Sequence, residues 1–297
     1  MAEVRLENDA LLAMLDTSGG VIWRLVAKTT RGAVPLLRPP AEEAPRLPRR
    51  SGCYPLLPFG NRIAGNRFTF EGEDYAFAAN TDWDPLVLHG DGWLATWSVA
   101  EASATRAVFR SGSRDEGAFQ YDAEQVFAIE GPALTVTMTI INRGPRAMPF
   151  GFGWHPYFPV HPDTTLTATA SEYWEEGALS LPTRRMPLPE DLDFTHPRGV
   201  PRRRINNGFE GWDGHAEIAS RSAGVTTLIT ASEALRRSFI FVPDPAEPPV
   251  HPVPFFAFEP MSHAANAHNL AGDGGLRRLA PGESLTGSMT MAWRALS

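Results

Sequence analysis

YDAEQVFAIEGPALTVTMTII, residues 121–141, contains two runs rich in β-forming residues, 121–129 and 133–141, joined by Glu130-Gly131-Pro132. Apolar residues recur mostly at every second position, which is the period of a strand and not that of a helix. Asn142-Arg143-Gly144 then turns the chain again. The stretch therefore predicts a pair of strands joined by a tight turn.

The same period continues along the chain. Further hairpins are predicted at 68–77 and 216–230, and further strands at 239–242 and 284–293. The 27 prolines and 26 glycines interrupt the chain too often for long helices. We expect an all-β fold, a sandwich or a barrel of antiparallel strands, in one domain over residues 1–297. The Pro- and charge-rich residues 37–50 and 181–204 are interpreted as long loops.

Charge and cysteine content limit the partners and the compartment. The formal net charge is −7, which gives little electrostatic reason to bind nucleic acid or an anionic membrane, so a small neutral partner is expected. A single cysteine, Cys53, excludes an intramolecular disulfide and favours a reducing, cytoplasmic compartment. Neither a signal peptide nor an apolar run long enough to cross a membrane is predicted.

Two short stretches before the first predicted long strands place polar residues among glycines and aromatic residues. Asn61 and Arg62 lie in PFGNRIAGNRF, residues 58–68, and His89 lies in LHGDGW, residues 88–93. The guanidinium of Arg62 offers five fixed donors that suit a ligand rich in hydroxyls, but it equally suits a turn or a surface ion pair. His89 is either a binding residue on a loop or an ordinary surface histidine.

A third stretch, GFGWHPYFPV at 151–160, surrounds His155 with aromatic residues. The following proline pushes His155 toward extended backbone. Trp154, Tyr157 and Phe158 would then form apolar walls that suit the faces of a sugar ring. The alternative is a core histidine whose hydrogen bonds are satisfied.

A fourth stretch, FFAFEPMS at 255–262, ends an apolar run in the carboxylate Glu259. If Phe256 and Phe258 face the core, alternation points Glu259 to the opposite side of the strand. Partial burial there would raise its pKa and make it a general base, whereas at a strand end it would be a surface acid.

Together these stretches supply two histidines, one arginine and one carboxylate, without a motif for a serine or cysteine nucleophile. No Gly-rich phosphate-binding fingerprint follows a strand. His89, His155 and Glu259 lack the HxH or HExxH spacing of metal ligands, so neither a metal nor another cofactor is expected.

The four stretches, in this order, resemble the motifs of the aldose 1-epimerase (galactose mutarotase-like) family: PFGNRI at 58–63, LHG at 88–90, HPYF at 155–158 and FEPMS at 258–262. The resemblance extends over about residues 5–295. It implies a large β-supersandwich of antiparallel sheets. It also implies interconversion of the α and β anomers of a free hexose or pentose without a cofactor.

The resemblance also implies roles for single residues. Glu259 would be the general base and His155 the general acid, while His89 and Arg62 would bind and polarise the sugar with support from Asn61. The family's sugar-binding aspartate corresponds to Asn206 in this chain, a departure that puts the sugar preference in question. Asp213 is either a substitute ligand or a turn residue.

Three other functions stay open at this stage. A hexose-6-phosphate 1-epimerase would need Arg62 together with the basic run Arg202–Arg204 to meet the phosphate. A non-catalytic carbohydrate-binding protein would bind sugar without accelerating anomer exchange. A glycosidase would normally need two carboxylates, and only Glu259 is nominated. A monomer and a homodimer are both compatible with the sequence.

Overall fold

The structure is a computed structural model and describes residues 2–40, 46–111, 117–247 and 251–296. It is built almost entirely from strands, whose bounds are β1 (Glu3–Glu7), β2 (Leu11–Asp16), β3 (Val21–Thr29), β4 (Gly32–Pro35), β5 (Cys53–Leu56), β6 (Arg67–Phe70), β7 (Glu73–Ala76), β8 (Ser98–Ala102), β9 (Arg106–Ser111), β10 (Tyr121–Glu130), β11 (Ala133–Asn142), β12 (Met148–Phe150), β13 (Gly153–Pro159), β14 (Thr165–Ala168), β15 (Glu172–Glu176), β16 (Pro182–Pro187), β17 (Arg198–Gly199), β18 (Ile205–Glu210), β19 (His215–Ser220), β20 (Val225–Ala231), β21 (Arg237–Val242), β22 (Phe255–Met261), β23 (Arg277–Leu279) and β24 (Ser284–Ala295).

Single turns of 3-10 helix connect some of these strands, at Pro48–Arg50, Ala64–Asn66, Gly92–Leu94, Ala178–Ser180, Glu190–Leu192, Ala267–Asn269 and Asp273–Gly275. Within the described ranges, no helix is both long enough and apolar enough to cross a membrane.

Two large antiparallel sheets contain most of the strands. The first has 11 strands in the order β1-β2-β3-β5-β13-β22-β21-β18-β15-β16, with β4 paired to β3. The second has nine strands in the order β17-β14-β19-β20-β24-β11-β10-β9-β8. The predicted all-β supersandwich of antiparallel sheets is confirmed.

The hairpin predicted from residues 121–141 is formed by β10 and β11, whose register pairs Tyr121 with Asn142 and Glu130 with Ala133. Along β11 every second side chain is buried, beginning with Leu134 and Val136, and the threonines between them are partly exposed. This alternation turns one face of the second sheet toward the first. The hairpins predicted at 68–77 and 216–230 are likewise present as β6–β7 and β19–β20.

The main core lies between the two large sheets and contains buried apolar residues from both. Trp154 of β13 illustrates the contact, because its indole N–H donates to the side-chain oxygen of Gln125 on β10 at 3.2 Å. Phe256 and Phe258 of β22 point into the same core and are fully buried. The opposite face of the first sheet carries a second apolar cluster, which includes Tyr54, Tyr157 and Phe239.

The two segments interpreted as loops are more ordered than expected. Residues 181–204 contain β16, which pairs with β15, and β17, which pairs with β14. In residues 37–50, of which 41–45 lie outside the described residues, the backbone N–H of Arg38 donates to the carbonyl of Tyr157 at 2.8 Å. This bond holds the segment against β13, beside the second apolar cluster.

Candidate active site

Neighbouring strands of the first sheet bring the polar residues singled out in the sequence to one place. His155 of β13 is paired with Tyr54 of β5, and Glu259 of β22 is paired with Phe239 of β21. Asn206 of β18 lies one strand further along the sheet, opposite Phe241. These side chains line a cavity of about 290 Å³ on the outer face of the sheet, at the lower end of the range for small-molecule sites.

Alternation along β13 decides which of the aromatic residues around His155 reach the cavity. Tyr157, two positions on, lies on the same face and lines it. Trp154 and Phe158 point the other way, into the core between the sheets. The expectation that all three form a sugar-facing wall is therefore wrong for Trp154 and Phe158, because successive side chains of a strand point to opposite faces.

His155 and Glu259 form a buried pair at the floor of the cavity. Imidazole Nε2 lies 3.1 Å from carboxyl Oε1, and the two residues are 6% and 1% exposed. Burial raises the pKa of the Glu259 carboxyl well above its ordinary value, and the charge of Arg62 acts in the opposite direction. Burial also lowers the pKa of His155 to about 3, helped by the charge of Arg38.

Both shifts disfavour the charged forms, so burial favours a carboxylic acid beside a neutral imidazole. The pair then holds one transferable proton between two atoms 3.1 Å apart, and its titration belongs to both groups together. Such a pair can give a proton from one group while it accepts one at the other.

Tyr54 fixes the imidazole plane of His155. The two rings stack with centroids 4.6 Å apart and an interplanar angle of 20°. Tyr157 contacts the imidazole from another side, with ring centroids 4.4 Å apart. Because aromatic packing restricts rotation about the side-chain bonds of His155, its Nε2 stays directed at Glu259.

His89 and Asn61 line the cavity and are joined by two hydrogen bonds. Both have positive φ angles, 59° and 60°, a conformation in which asparagine is more common than most residues. The backbone N–H of Asn61 donates to His89 Nδ1 at 2.9 Å, and the backbone N–H of His89 donates back to the carbonyl of Asn61 at 2.9 Å. Since Nδ1 accepts, the ring proton is assigned to Nε2.

Electrostatics keep His89 neutral. Burial lowers its pKa well below the ordinary value, and the nearby His155 and Arg62 add to the shift. A neutral imidazole with its proton on Nε2 is a hydrogen-bond donor toward a ligand.

Arg62 lines the cavity, and Asp84 forms an ion pair with its guanidinium. Its Nε and Nη2 lie 2.8 Å and 2.7 Å from the same carboxylate oxygen, and both side chains are largely buried. Its backbone N–H donates to the side-chain oxygen of Asn61 at 2.9 Å. Asp84, which sequence reasoning missed, therefore fixes the orientation of the guanidinium.

Unsatisfied polar atoms concentrate at this cavity. In the part of the chain that the structure describes, five buried side-chain atoms lack a hydrogen-bond partner, and four belong to residues lining the cavity: Arg38 Nε, His155 Nδ1, His251 Nε2 and Glu259 Oε2. Buried polar groups in folded proteins are almost always paired, so this concentration is typical of a binding site for a polar ligand.

Asn206 lines the cavity, but its amide N–H also donates to Glu176 Oε1 at 2.8 Å. Glu176 is paired in turn with Arg204 at 2.7 Å. The amide oxygen of Asn206 is not used in this contact, so the residue can still accept a hydrogen bond from a ligand.

The structure does not bring Asp213 to the cavity. It follows the far end of β18 from Asn206, and its carboxylate accepts from the backbone N–H of His215 at 2.9 Å, as in a turn. The basic run is also elsewhere. Arg203 pairs with Asp191 and Arg204 with Glu176, while Arg202 lines a neighbouring proline-rich cleft.

Several lining residues were not found from the sequence, notably Tyr54, Trp93, Arg38, Arg49 and Arg50. Tyr54 could have been found from its place in an apolar strand, but nothing local marks the arginines. Among the described residues, no three histidine, cysteine or acidic side chains are grouped so that they could hold a metal ion.

Comparison with curated proteins gives a relative along nearly the whole chain. The Escherichia coli K12 protein named "Uncharacterized protein YphB" is 39% identical over 287 residues, which cover 96% of this chain and 97% of the relative. A second E. coli protein, "Uncharacterized protein YihR", is 23% identical over about half of each chain.

Solved structures agree with the architecture described above. An E. coli K12 crystal structure described as a "Putative aldose 1-epimerase" superposes with a TM-score of 0.93 at 38% identity, covering 99% of both chains. A galactose mutarotase-like protein from Clostridium acetobutylicum gives a TM-score of 0.83 at 18% identity, covering 98% of this chain and 95% of that one, a likeness of fold. The family model for aldose 1-epimerase matches residues 2–292, and the chain therefore belongs to the aldose 1-epimerase family.

Proposed function

We propose that this protein interconverts the α and β anomers of an aldose, with His155 and Glu259 as a general acid–base pair. The observation that carries the proposal is the buried contact between the two groups, with His155 Nε2 3.1 Å from Glu259 Oε1, in a polar cavity. Arg62, His89 and Asn206 are proposed to bind the sugar hydroxyls, with Asn61 positioning His89. Family membership supports a small sugar as substrate.

The two protein groups have unequal tasks in the proposed reaction. Glu259 takes the proton from the anomeric hydroxyl as the C1–O5 bond breaks, and His155 gives its proton to O5. The aldehyde end of the open chain rotates about its C1–C2 bond. Closure on the other face returns both protons to their donors, so the protein ends as it began.

These roles require a carboxylate and an imidazolium when the sugar is bound. Burial favours the form with the proton on Glu259, and one transfer between the two atoms 3.1 Å apart supplies the required form. Arg62 favours the carboxylate. Burying the charged forms of Glu259 and His155 costs free energy. Hydrogen bonds from the sugar hydroxyls to these groups offset that cost when the sugar is bound. Glu259 Oε2, which has no hydrogen-bond partner among the described residues, is the oxygen proposed to meet the anomeric hydroxyl.

Polarimetry tests the proposal on freshly dissolved α-D-glucose, α-D-galactose, L-arabinose and D-xylose. We expect fast relaxation that Glu259→Gln slows by about a hundredfold or more, in line with general acid–base contributions. Circular dichroism of the variant serves as the control for folding. Saturable sugar binding without faster relaxation would instead identify a non-catalytic carbohydrate-binding protein.

The compartment remains a proposal as well. Cys53 is buried and unpaired in the structure, and we propose that the protein works in the cytoplasm.

A further inference from the structure

Three arginines that lie outside the family motifs line one wall of the cavity. Arg38 follows β4, and Arg49 and Arg50 belong to the 3-10 helix Pro48–Arg50. The helix is tied to Arg38, whose Nη2 donates to the carbonyls of Arg49 at 2.9 Å and Ser51 at 3.1 Å. One buried guanidinium thus holds the backbone that presents the other two.

Among the residues that the structure describes, Arg38 is a buried cation without an anionic partner. It is 3% exposed, and no described carboxylate forms an ion pair with it. Its guanidinium lies 3.7 Å from the centroid of the Tyr157 ring and 4.3 Å from that of Phe255, while Nε has no hydrogen-bond partner. Burial lowers its pKa from the ordinary value. Because an unpaired buried charge is costly, this arrangement favours an anion beside it.

Arg49 and Arg50 bring two further positive charges to the cavity wall. Arg49 is exposed and lies over the ring of Trp83, another cavity residue, at 5.6 Å. Within the described part of the chain neither arginine is paired with a carboxylate, in contrast to Arg62, which is held by Asp84. Asp84 therefore neutralises Arg62 locally, whereas no described carboxylate does so for the other three arginines.

The cavity has little negative charge to offset them. Among the described residues that line it, Glu259 is the only acid, and burial favours its protonated form. His251 contributes a neutral donor, because its Nδ1 accepts from the backbone N–H of Val253 at 3.1 Å, which leaves the proton on Nε2. Counted over the described residues that line it, the cavity is thus positively charged although the chain as a whole has a net charge of −7.

The arginine wall lies next to the acid–base pair. The Tyr157 ring separates them, with its centroid 3.7 Å from the Arg38 guanidinium carbon and 4.4 Å from the centroid of the His155 ring. A single monosaccharide can therefore meet His155 with its anomeric end and Arg38 with a substituent on the far side of its ring.

We infer that the substrate is an anionic aldose, whose carboxylate, sulfate or phosphate group is bound by Arg38, Arg49 and Arg50. The inference rests on the proposed epimerase function and replaces the neutral partner expected from net charge. It also differs from the hexose-6-phosphate alternative considered for the sequence, in which Arg62 together with Arg202–Arg204 would meet the phosphate. Guanidinium groups suit this task because their planar forks match oxyanions.

Anomer exchange measured by NMR exchange spectroscopy tests the inference with D-glucose, D-glucuronate, glucose 6-sulfate and glucose 6-phosphate. These sugars share one ring and differ at C6, so the best substrate identifies the anionic group. We expect a kcat/KM for at least one anionic sugar about tenfold or more above that for glucose, the size of one charge-assisted hydrogen bond. The advantage should shrink as salt rises to about 0.3 M.

The double variant R49A/R50A should lose about tenfold more in kcat/KM toward that anionic sugar than toward glucose, mainly through KM. R184A/R203A is the matched control, since it removes two arginines that are ion-paired on the surface outside the cavity. It should keep the wild-type preference. Equal losses on glucose and on the anionic sugar in R49A/R50A would overturn the inference.

Calorimetric binding to E259Q separates this inference from the proposed function. Tighter, salt-sensitive binding of an anionic sugar than of glucose supports the arginine site even if no sugar is epimerised, in which case the proposed function alone fails. Glucose binding as tightly as all three anionic sugars would overturn the anion site, whatever the wild-type activity.

Discussion

His155 and His263 are both buried histidines near β22 of the first sheet. His155 lies on the neighbouring strand β13, and His263 follows β22 by two residues, yet their ring nitrogens have different partners. They are 6% and 1% exposed, and burial lowers the pKa of His155 to about 3 and of His263 to about 4. His263 Nε2 accepts from the backbone N–H of Gly60 at 2.9 Å, and its Nδ1 donates to the carbonyl of Ala264 at 2.8 Å.

His155 instead shares its Nε2 with the carboxyl of Glu259, and its Nδ1 has no partner within the protein. Burial and a lowered pKa are therefore common to a structural histidine and a proposed catalytic one. What distinguishes them is whether the ring contacts backbone groups, which do not titrate near neutral pH, or a second titratable group beside a cavity.

The largest expected effect comes from replacing each histidine in turn. His155→Asn should lower kcat for anomer exchange by about a hundredfold or more, because the proposed acid is lost. His263→Asn should mainly reduce the free energy of unfolding, by about 1–3 kcal/mol, because buried backbone groups lose their partner. Urea unfolding and polarimetry on both variants measure the two quantities. A folded His155→Asn variant with near-native kcat would refute the proposed role of His155 as the general acid.

An intermediate effect is expected in the pH dependence of stability. The folded-state pKa of Glu259 is raised above its ordinary value of about 4.5, so above pH 4.5 the unfolded chain releases a proton that the native state retains. Stability contributed by this group is therefore complete below pH 4.5 and falls as pH rises toward the folded pKa, by up to about 1.4 kcal/mol per pH unit.

Glu259→Gln removes this dependence, since glutamine does not ionise. The variant should become more stable relative to wild type between pH 5 and pH 7 even though it loses activity, which urea unfolding at the two pH values measures. A gap between wild type and variant that stays constant over this interval would contradict the buried protonated state of Glu259.

The smallest effects concern the two candidates for the family's sugar-binding aspartate. Asn206→Ala should raise KM by about three- to tenfold, because one hydrogen bond at the cavity is lost. Asp213→Ala should leave KM unchanged and affect only the turn before β19. Steady-state kinetics of anomer exchange on both variants measure the two KM values. A larger KM effect for Asp213→Ala would reverse the assignment.

Much of the fold could be predicted because it depends on local patterns. The alternation in residues 133–142 appears in the structure as one buried and one partly exposed face of β11. Alternation also correctly predicted that the side chains of Phe258 and Glu259 point to opposite faces of β22. Phe258 faces the core, and Glu259 faces the cavity. The same rule, applied to His155, should have assigned Trp154 and Phe158 to the core.

What the sequence by itself determined is the period of the strands and the identity of the four polar motifs, because both are properties of adjacent residues. Only the tertiary structure decided which charges meet. Arg38, Arg49 and Arg50 come from a segment without strand period, yet all three line the cavity. A hydrogen bond from Arg38 to Tyr157, more than a hundred residues away, holds the segment there. Asp213, near Asn206 in sequence, is separated from the cavity because β18 carries the chain away from it. Sequence neighbourhood and charge type cannot encode such convergence, since it arises from the packing of segments that are distant along the chain.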